Sequence, residues 1–451
     1  MTRPLARALR GSREFALGSV FSPLSFVVFL FLPLLALYVV ASDSVFASEF
    51  GSRKTLSWTG VAFFLLALVC FAVGARVGER GVRAVRTPLD DQLPAARRRS
   101  LAVLLEAALV ISVGAYALWF ARGIVNAGGV AQLFEIWRTD PHRIKAEIMT
   151  TVPGLTTLTQ LAVATIPLVI AFRLYRRGSA LRVLVVLVFA LATMRAVLFN
   201  ERLAFIELIV PVVFLLTASR RVTVPRVAVY GAAFLLAALT LFAVTELRRT
   251  YVYTNDFSAT RSTTRFFGYY LTSVNNGMAV IDEYPARTPF YSSGELFWLF
   301  PGLRDLRVDY FPGLGTVSLG YADAFGIDPE RFWPRAFAAQ GLDYEFNVFS
   351  APGYLAADFG WAALVVVLLL GVASGRLYGL SKTSAFHRAF YAVWLVGLLE
   401  FMRILYVANT RVFPAYLVFL AAYLVVRRGA PAGARAGRVR QAPLIGGARG
   451  R

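Results

Sequence analysis

The sequence predicts an all-α, polytopic membrane protein of about ten transmembrane helices, with both termini cytoplasmic and one large external loop between the seventh and eighth spans. Three observations predict it. A series of stretches are each long and apolar, and alternate connections between them are crowded with arginine. Apolar residues also make up 58% of the chain, against about 45–50% in soluble domains. A soluble core of this size would need polar connections between its elements, and those are largely missing.

The spans are expected at 21–41, 57–76, 101–120, 152–172, 181–199, 203–218, 226–245, 360–379, 387–406 and 411–427. Most reach the about 17–25 residues with which a helix crosses about 30 Å of hydrocarbon; the span at 203–218 is short. The first follows a basic start, Arg3-Pro4-Leu5-Ala6-Arg7, in the manner of a signal peptide. Its apolar run exceeds the about 7–15 residues of a cleavable core, so it reads as a retained anchor.

Charge sets the orientation. With both termini inside, segments 1–20, 76–100, 173–182, 219–226, 376–388 and 427–451 hold 28 of the 47 Lys and Arg residues. The acids in those segments are Glu14, Glu79, Asp90 and Asp91. That is the positive-inside pattern. It accounts for the net charge of +21 without a nucleic-acid partner, because the arginines gather at the inner ends of spans, where they meet lipid headgroups. Arg outnumbers Lys 44 to 3, which points to a GC-rich bacterium as the origin and to nothing further.

Two external segments exceed simple connections. In 121–151, Phe134 precedes Trp137 by three residues and Ile144 precedes Ile148 by four, on either side of Pro141. This spacing predicts two short helical turns along the outer interface. The region 246–359 is far longer than a connection requires, and 251–354 contains 24 Phe, Tyr and Trp residues. Such density buries enough apolar surface to offset ordering entropy, so an aromatic-rich external domain is expected. Its rings serve either as an interfacial belt or as platforms for sugars. The chain thus divides into spans one to seven (1–245), the external domain (246–359), spans eight to ten (360–427) and a disordered basic tail (428–451).

Ionisable groups inside spans are costly and mark protein interiors or watery cavities. Glu106 lies close to Arg97, Arg98 and Arg99 and reads as a local ion pair. Arg195, Arg202, Glu207, Glu400 and Arg403 instead fall toward the outer ends of their spans, with Asp358 where the eighth begins. Glu400 and Arg403, three apart, share one face of the ninth helix. Inter-helix ion pairs explain any one of these residues. Together they describe a guanidinium-rich cavity open to the outside, suited to a phosphate or diphosphate held through paired hydrogen bonds. Arg248, Arg249, Arg261 and Arg265 follow at the start of the large loop, interleaved with Tyr251, Tyr253 and Phe257. They meet either lipid headgroups or the same anion.

Several chemistries are disfavoured. No Walker or dinucleotide glycine pattern is present, which argues against a nucleotide donor. Cys70 is the single cysteine, and His142 and His387 stand far apart, so neither a disulfide framework nor a metal centre is expected. The loop 42–56 carries the separated acids Asp43 and Glu49. It lacks the adjacent pair that many lipid-donor glycosyltransferases place there for a metal, so no metal and no other cofactor is expected.

The stretch Met194-Arg195 through Asn200-Glu201-Arg202-Leu203-Ala204-Phe205 resembles the arginine-bearing turn between two central spans of bacterial oligosaccharide repeat-unit polymerases, the Wzy-type O-antigen polymerase family. Glu345-Phe346-Asn347-Val348-Phe349, then Tyr354 and Asp358-Phe359-Gly360, is similar to that family's signature before a late helix. The resemblance implies a GT-C-like, metal-independent glycosyltransferase. It would polymerise polyprenyl-diphosphate-linked oligosaccharide repeat units on the outer face of the membrane. Arg202 and Arg195, then Arg265 and Arg261, would contact diphosphate or sugar. Asp358 or Glu345 would accept the proton of the attacking hydroxyl, while Asn347 and Tyr354 position the acceptor. Arg248, Arg249, Glu207, Glu400 and Arg403 complete the expected substrate contacts. The implied partners are lipid-linked glycan donor and acceptor, membrane lipids, a flippase and a chain-length regulator. Related O-antigen ligases carry a histidine in the corresponding loop, and none lies here. A ligase-like transferase, a lipid-linked sugar transporter or flippase, and a non-catalytic assembly scaffold are the alternatives; a transporter would predict an internal repeat, which the sequence lacks.

Overall fold

The computed structural model describes residues 15–82, 93–140, 143–150, 152, 154–176, 179–199, 201–223, scattered positions of 225–243, then 259–294, 326–327, 329–342 and 348–427. Six helices are long and apolar enough to cross a membrane: Pro23–Val40, Trp58–Arg80, Ala95–Asn126, Ala180–Leu198, Ala351–Ser381 and Thr410–Arg427. Shorter apolar helices cover Leu155–Ala171, Leu203–Thr217 and Ala385–Leu399. Large apolar side chains such as Phe29, Val69, Val110, Val186 and Leu369 face outward from them, as lipid-facing residues do. The chain is a multi-pass, all-α membrane protein. Among the described residues the one strand pairing is the two-residue match of Phe15–Ala16 with Arg221–Val222. The expected span 226–245 is described only at scattered positions.

We label the helices α1 (Pro23–Val40), α2 (Asp43–Phe50), α3 (Trp58–Arg80), α4 (Ala95–Asn126), α5 (Val130–Thr139), α6 (Leu155–Ala171), α7 (Ser179–Phe199) and α8 (Arg202–Thr217). After these come α9 (Ala259–Glu283), α10 (Pro329–Ala339), α11 (Ala351–Phe359), α12 (Ala363–Ser381), α13 (Ala385–Leu399) and α14 (Phe413–Arg427). In α1, Val27–Phe31 forms a π-turn just before Pro33. Proline lacks the amide that would extend the ladder and its ring crowds the carbonyl four residues back.

The most extensive helix pair is α3 with α12. Gly74 and Gly78 face the backbone of Leu368 and Val372, while Gly371 and Gly375 face that of Phe71 and Ala75. A Cβ on any of the four would fall on the partner's main chain. Small residues at four-residue spacing on both helices let the backbones touch, which in lipid replaces the missing hydrophobic drive with close van der Waals contact.

At the N-terminal end of α4, Arg97 donates to the carbonyl of Val426 at 3.3 Å and Arg98 to that of Phe172 at 2.9 Å. Two arginines thereby cover the open C-terminal carbonyls of α14 and α6. The N-terminal segment closes the same end: Tyr378 donates to the Gly18 carbonyl at 3.2 Å and Tyr391 to that of Phe21 at 2.5 Å.

Part of the long region before α12 is described, and it packs on the apolar helices. The amphipathic helix α9 packs on α1, α2, α3 and α11. It is pinned by buried Asn275, whose Oδ1 accepts from Tyr38 at 3.0 Å and from the Thr55 amide at 2.7 Å, while its Nδ2 donates to the Arg53 carbonyl at 2.9 Å. Ala279, Val280, Trp333, Phe337, Leu342 and Phe349 form a second small core with Tyr284, Phe332 and Tyr354 packed on it. Segment 121–151 departs from expectation in its second half. The short helix α5 has no buried residue, but Ile144 and Ile148 are buried in the main core. They are carried there because Trp119 donates to the Thr150 carbonyl at 3.2 Å and Asn126 to that of Ile148 at 3.0 Å.

Two span boundaries also differ. The ninth helix stops at Leu399, since the Glu400 carbonyl accepts both the Arg403 and Ile404 amides at 2.7 Å and turns the chain. The helix before the eighth span starts early, at Ala351, capped by Ser350, and breaks at Gly360. Replacing Gly375 with Ala should lower the thermal midpoint of the detergent-solubilised protein through overpacking of about 1–3 kcal/mol. Gly114→Ala, where nothing lies within 4 Å, should leave the midpoint unchanged. Equal midpoints for both variants would contradict this packing.

Candidate functional site: a buried charge network

The network begins at the junction of α7 and α8. Arg195, in the last turns of α7, is 2% exposed. Its Nε and Nη2 lie 2.6 Å and 2.5 Å from Glu201 Oε2. Nη1 donates to Thr159 Oγ1 of α6 at 3.0 Å, and the guanidinium lies over the Trp119 ring of α4, 4.7 Å from its centroid. The Trp119 ring covers the face of the guanidinium and the hydroxyl takes one of its edges.

A second arginine enters from the turn before α14. Arg411 is held there by Asn409, whose Oδ1 accepts the Arg411 amide at 2.9 Å. Arg411 Nε donates to Glu207 Oε1 at 2.5 Å and Nη2 to Oε2 at 3.1 Å, a two-point grip. Tyr406 donates to the same Oε1 at 2.9 Å. With its amide nitrogen turned toward Glu207, Gln160 donates to Oε2 at 3.0 Å and accepts from Arg411 Nη2 at 3.3 Å. Arg411 Nη1 stands 3.9 Å from Glu201 Oε2 and joins the two pairs. The four charges sum to zero. Trp119 and Arg97 are 22 residues apart on α4, so the network sits about 33 Å along that helix from the end where Arg97 covers Val426.

The expected residues distribute as follows. Arg195 and Glu207 belong to this network, each neutralised by a carboxylate or guanidinium rather than lining an unpaired cationic hollow. Glu400 and Arg403 pair with each other at 2.7 Å, in the turn after α13 rather than on its face. The Arg403 guanidinium lies 5.6 Å from the Tyr269 ring of α9, and its Nε is buried without a hydrogen-bond partner among the described residues. Desolvation by the surrounding helices, reinforced by Glu400, pushes the neighbouring Tyr270 hydroxyl above its ordinary pKa, so it remains a neutral donor. Arg265 lies on α9, half-buried, one turn before Tyr269. Arg202 opens α8 and Arg261 lies in α9, with their side chains outside the described atoms. Arg248, Arg249, Glu345 and Asn347 lie outside the described residues.

Asp358, expected as a proton acceptor, is held by backbone amides. It is 3% exposed and accepts the Ser292 amide at 3.1 Å and the Ser293 amide at 2.6 Å. Beside it, the Ala356 and Ala357 carbonyls accept from Ala286 at 2.8 Å and Thr288 at 2.9 Å. Gly360 then turns with φ 57° and ψ −136°, a conformation open to glycine alone. The Asp358-Phe359-Gly360 motif therefore fastens segment 284–294 to the α11–α12 junction. Tyr354 stacks on Phe349 at 4.1 Å, so one of its ring faces is occupied within the protein.

Sequence reading missed Arg411, Tyr406, Gln160 and Thr159, and gave Glu201 no role. One signal for Arg411 was present: it opens a span at the end away from the arginine-rich connections.

Breaking the inner pair by Glu207→Leu should cost about 1–3 kcal/mol, because half-buried Arg411 loses its two-point partner and Tyr406 loses its acceptor. The double variant Glu207→Leu, Arg411→Leu should recover part of that loss in denaturation of the solubilised protein; additive losses would show the two side chains to be uncoupled. Asp358→Ala should expose 284–294 to limited proteolysis, with α12 still protected. An unchanged digestion pattern would remove the fastening role.

No protein-family model matches this chain, and no match is found among curated proteins or solved structures.

Proposed function

We propose that the chain is a metal-independent membrane glycosyltransferase of the O-antigen polymerase type. It extends polyprenyl-diphosphate-linked glycans on the outer face of a bacterial cytoplasmic membrane. The reading adopts the ten-span topology with inner termini, which puts the charge network near the outer surface. One observation carries it: Arg195 and Arg411, from helices remote in sequence, converge on a single carboxylate oxygen at the bundle end away from Arg97 and Arg98. Arginines gathered inside an apolar bundle suit an anionic headgroup delivered by lipid. The neighbouring Arg403–Tyr269 pair offers a cation beside an aromatic face, a combination that fits a sugar diphosphate.

In the reaction, the terminal sugar hydroxyl of one lipid-linked unit attacks the anomeric carbon of the other glycan. The bond from that carbon to the phosphate oxygen breaks, and polyprenyl diphosphate leaves carrying the bonding electrons. Guanidinium groups stabilise the charge developing on the leaving oxygen, and Arg202 is the first candidate after Arg195. A carboxylate takes the hydroxyl proton. With Asp358 held by the Ser292 and Ser293 amides, Glu345 is the stronger candidate of the two expected.

A transporter for lipid-linked sugars is the second reading, favoured by the helix break at Gly360 and the turn at Glu400–Ile404, since transporters place sites at interrupted helices.

Purified protein supplied with a lipid-linked repeat unit should yield a ladder of longer glycans on a gel. Substrate left at its starting length, together with movement across vesicles, would favour the transporter. Arg202→Lys keeps the charge and loses the planar fork. Ladder formation should fall at least about tenfold, or about 1.4 kcal/mol in the barrier, with membrane insertion unchanged; near wild-type activity would remove Arg202 from the site.

A further inference from the structure

We propose that Glu201 is a resident stand-in for a ligand's anionic group. The site beneath it, built by Arg195 and Arg411, takes a diphosphate when the Glu201 carboxylate swings aside. The ligand's identity rests on the glycosyltransferase reading; the existence of an anion site does not.

Geometry carries the argument. Around one atom, Glu201 Oε2, stand Arg195 Nη2 at 2.5 Å, Arg195 Nε at 2.6 Å and Arg411 Nη1 at 3.9 Å. Two nitrogens of one guanidinium bonded to a single oxygen, with a second guanidinium at ion-pair range from the turn before α14, resemble the surroundings that arginines give a phosphate oxygen. Each guanidinium also has holders other than Glu201. Trp119 and Thr159 hold Arg195, while Glu207 and the Asn409-capped turn hold Arg411. The donors are therefore preorganised and remain in place if the carboxylate leaves.

Of the two carboxylates, Glu201 is the one able to leave. Its side chain is 17% exposed, against 1% for Glu207. It occupies the N-cap position of α8, yet its side chain makes no capping bond and reaches for Arg195 instead. The N-terminal amides of this 16-residue helix add partial positive charge at the same place. With Glu201 displaced, two guanidiniums face one remaining carboxylate, Glu207. The resulting net positive charge in an apolar bundle calls for an anion.

The test is binding of inorganic pyrophosphate and, separately, of polyprenyl diphosphate in detergent micelles, by calorimetry on the full-length protein at low salt. Glu201→Gln should bind at least one of them at least about tenfold more tightly than wild type, a change of about 1.4 kcal/mol. Adding Arg411→Gln should abolish that gain. A gain for both ligands means that the diphosphate alone is recognised; a gain confined to the micellar ligand means that the carrier lipid is. Unchanged affinity for both in Glu201→Gln, or a gain that survives loss of Arg411, overturns the proposal and leaves Glu201 a structural partner. If Glu201→Gln does not fold, Glu201→Asp keeps the charge on a shorter arm. It should show a smaller gain, and no gain there overturns the proposal equally. Tighter anion binding without any glycan ladder from wild type would keep the site and remove the polymerase reading; a ladder without tighter binding would do the reverse.

Discussion

Charge buried in an apolar bundle has to find its opposite, and that constraint arranges the centre of this protein. Arg195, Glu201, Glu207 and Arg411 leave α4, α6, α7, α8 and the turn before α14 little freedom in how they meet. Moving any one helix by a turn, about 5.4 Å, would separate a guanidinium from its carboxylate in a medium that cannot solvate either. Such networks need not add net stability over a well-packed apolar core. They do make wrong registers expensive. Here the apolar faces alone are permissive, because lipid receives a leucine as readily as a neighbouring helix does.

The same logic of satisfied polar groups fixes what lies beside the network. Asn275 ties α9 to the 53–55 segment and to Tyr38, and Asn276 donates to the Val348 carbonyl at 3.1 Å. Phe401, in the turn that also carries Glu400 and Arg403, accepts the Ala351 amide at 2.9 Å. The aromatic helix α9, the start of α11 and the Arg403 turn are thus one hydrogen-bonded assembly. Asp358 extends it to 284–294. A rigid platform of this kind holds Tyr269 and Arg403 in register.

Hydropathy made most of the bundle legible, since a helix in lipid must be apolar over its whole length. Its interruptions were less so. Nothing in Leu399-Glu400-Phe401 marks a stop, because the turn is closed by one carbonyl accepting two amides rather than by glycine or proline. Arg195 and Glu207 stood out as charges within spans. Arg411 did not, since an arginine at a span edge looks like any interfacial anchor, and its partner Glu207 is 204 positions away. For Asp358 the sequence marks a lone carboxylate at a span entrance but not the amides of Ser292 and Ser293, about 65 residues upstream, that it accepts. The four glycines between α3 and α12 carry a spacing signal that hydropathy alone passes over.

The two carboxylates of the network are chemically alike and structurally unlike, and this difference gives the network a direction. Glu207 receives two nitrogens of Arg411, the Tyr406 hydroxyl and the Gln160 amide in full burial, so releasing it would strand four donors. Glu201 faces two cations from a short turn with a path to solvent. A neutral resting state spares the bundle an uncompensated charge in the absence of ligand, whose cost would be several kcal/mol per ion. Exchange of one anion for another at the exposed position then changes the net charge little and requires no cation to be freshly desolvated. Affinity at such a place is a difference between two anions rather than the full attraction of two arginines for one. That difference suits a carrier headgroup which has to bind, react and depart.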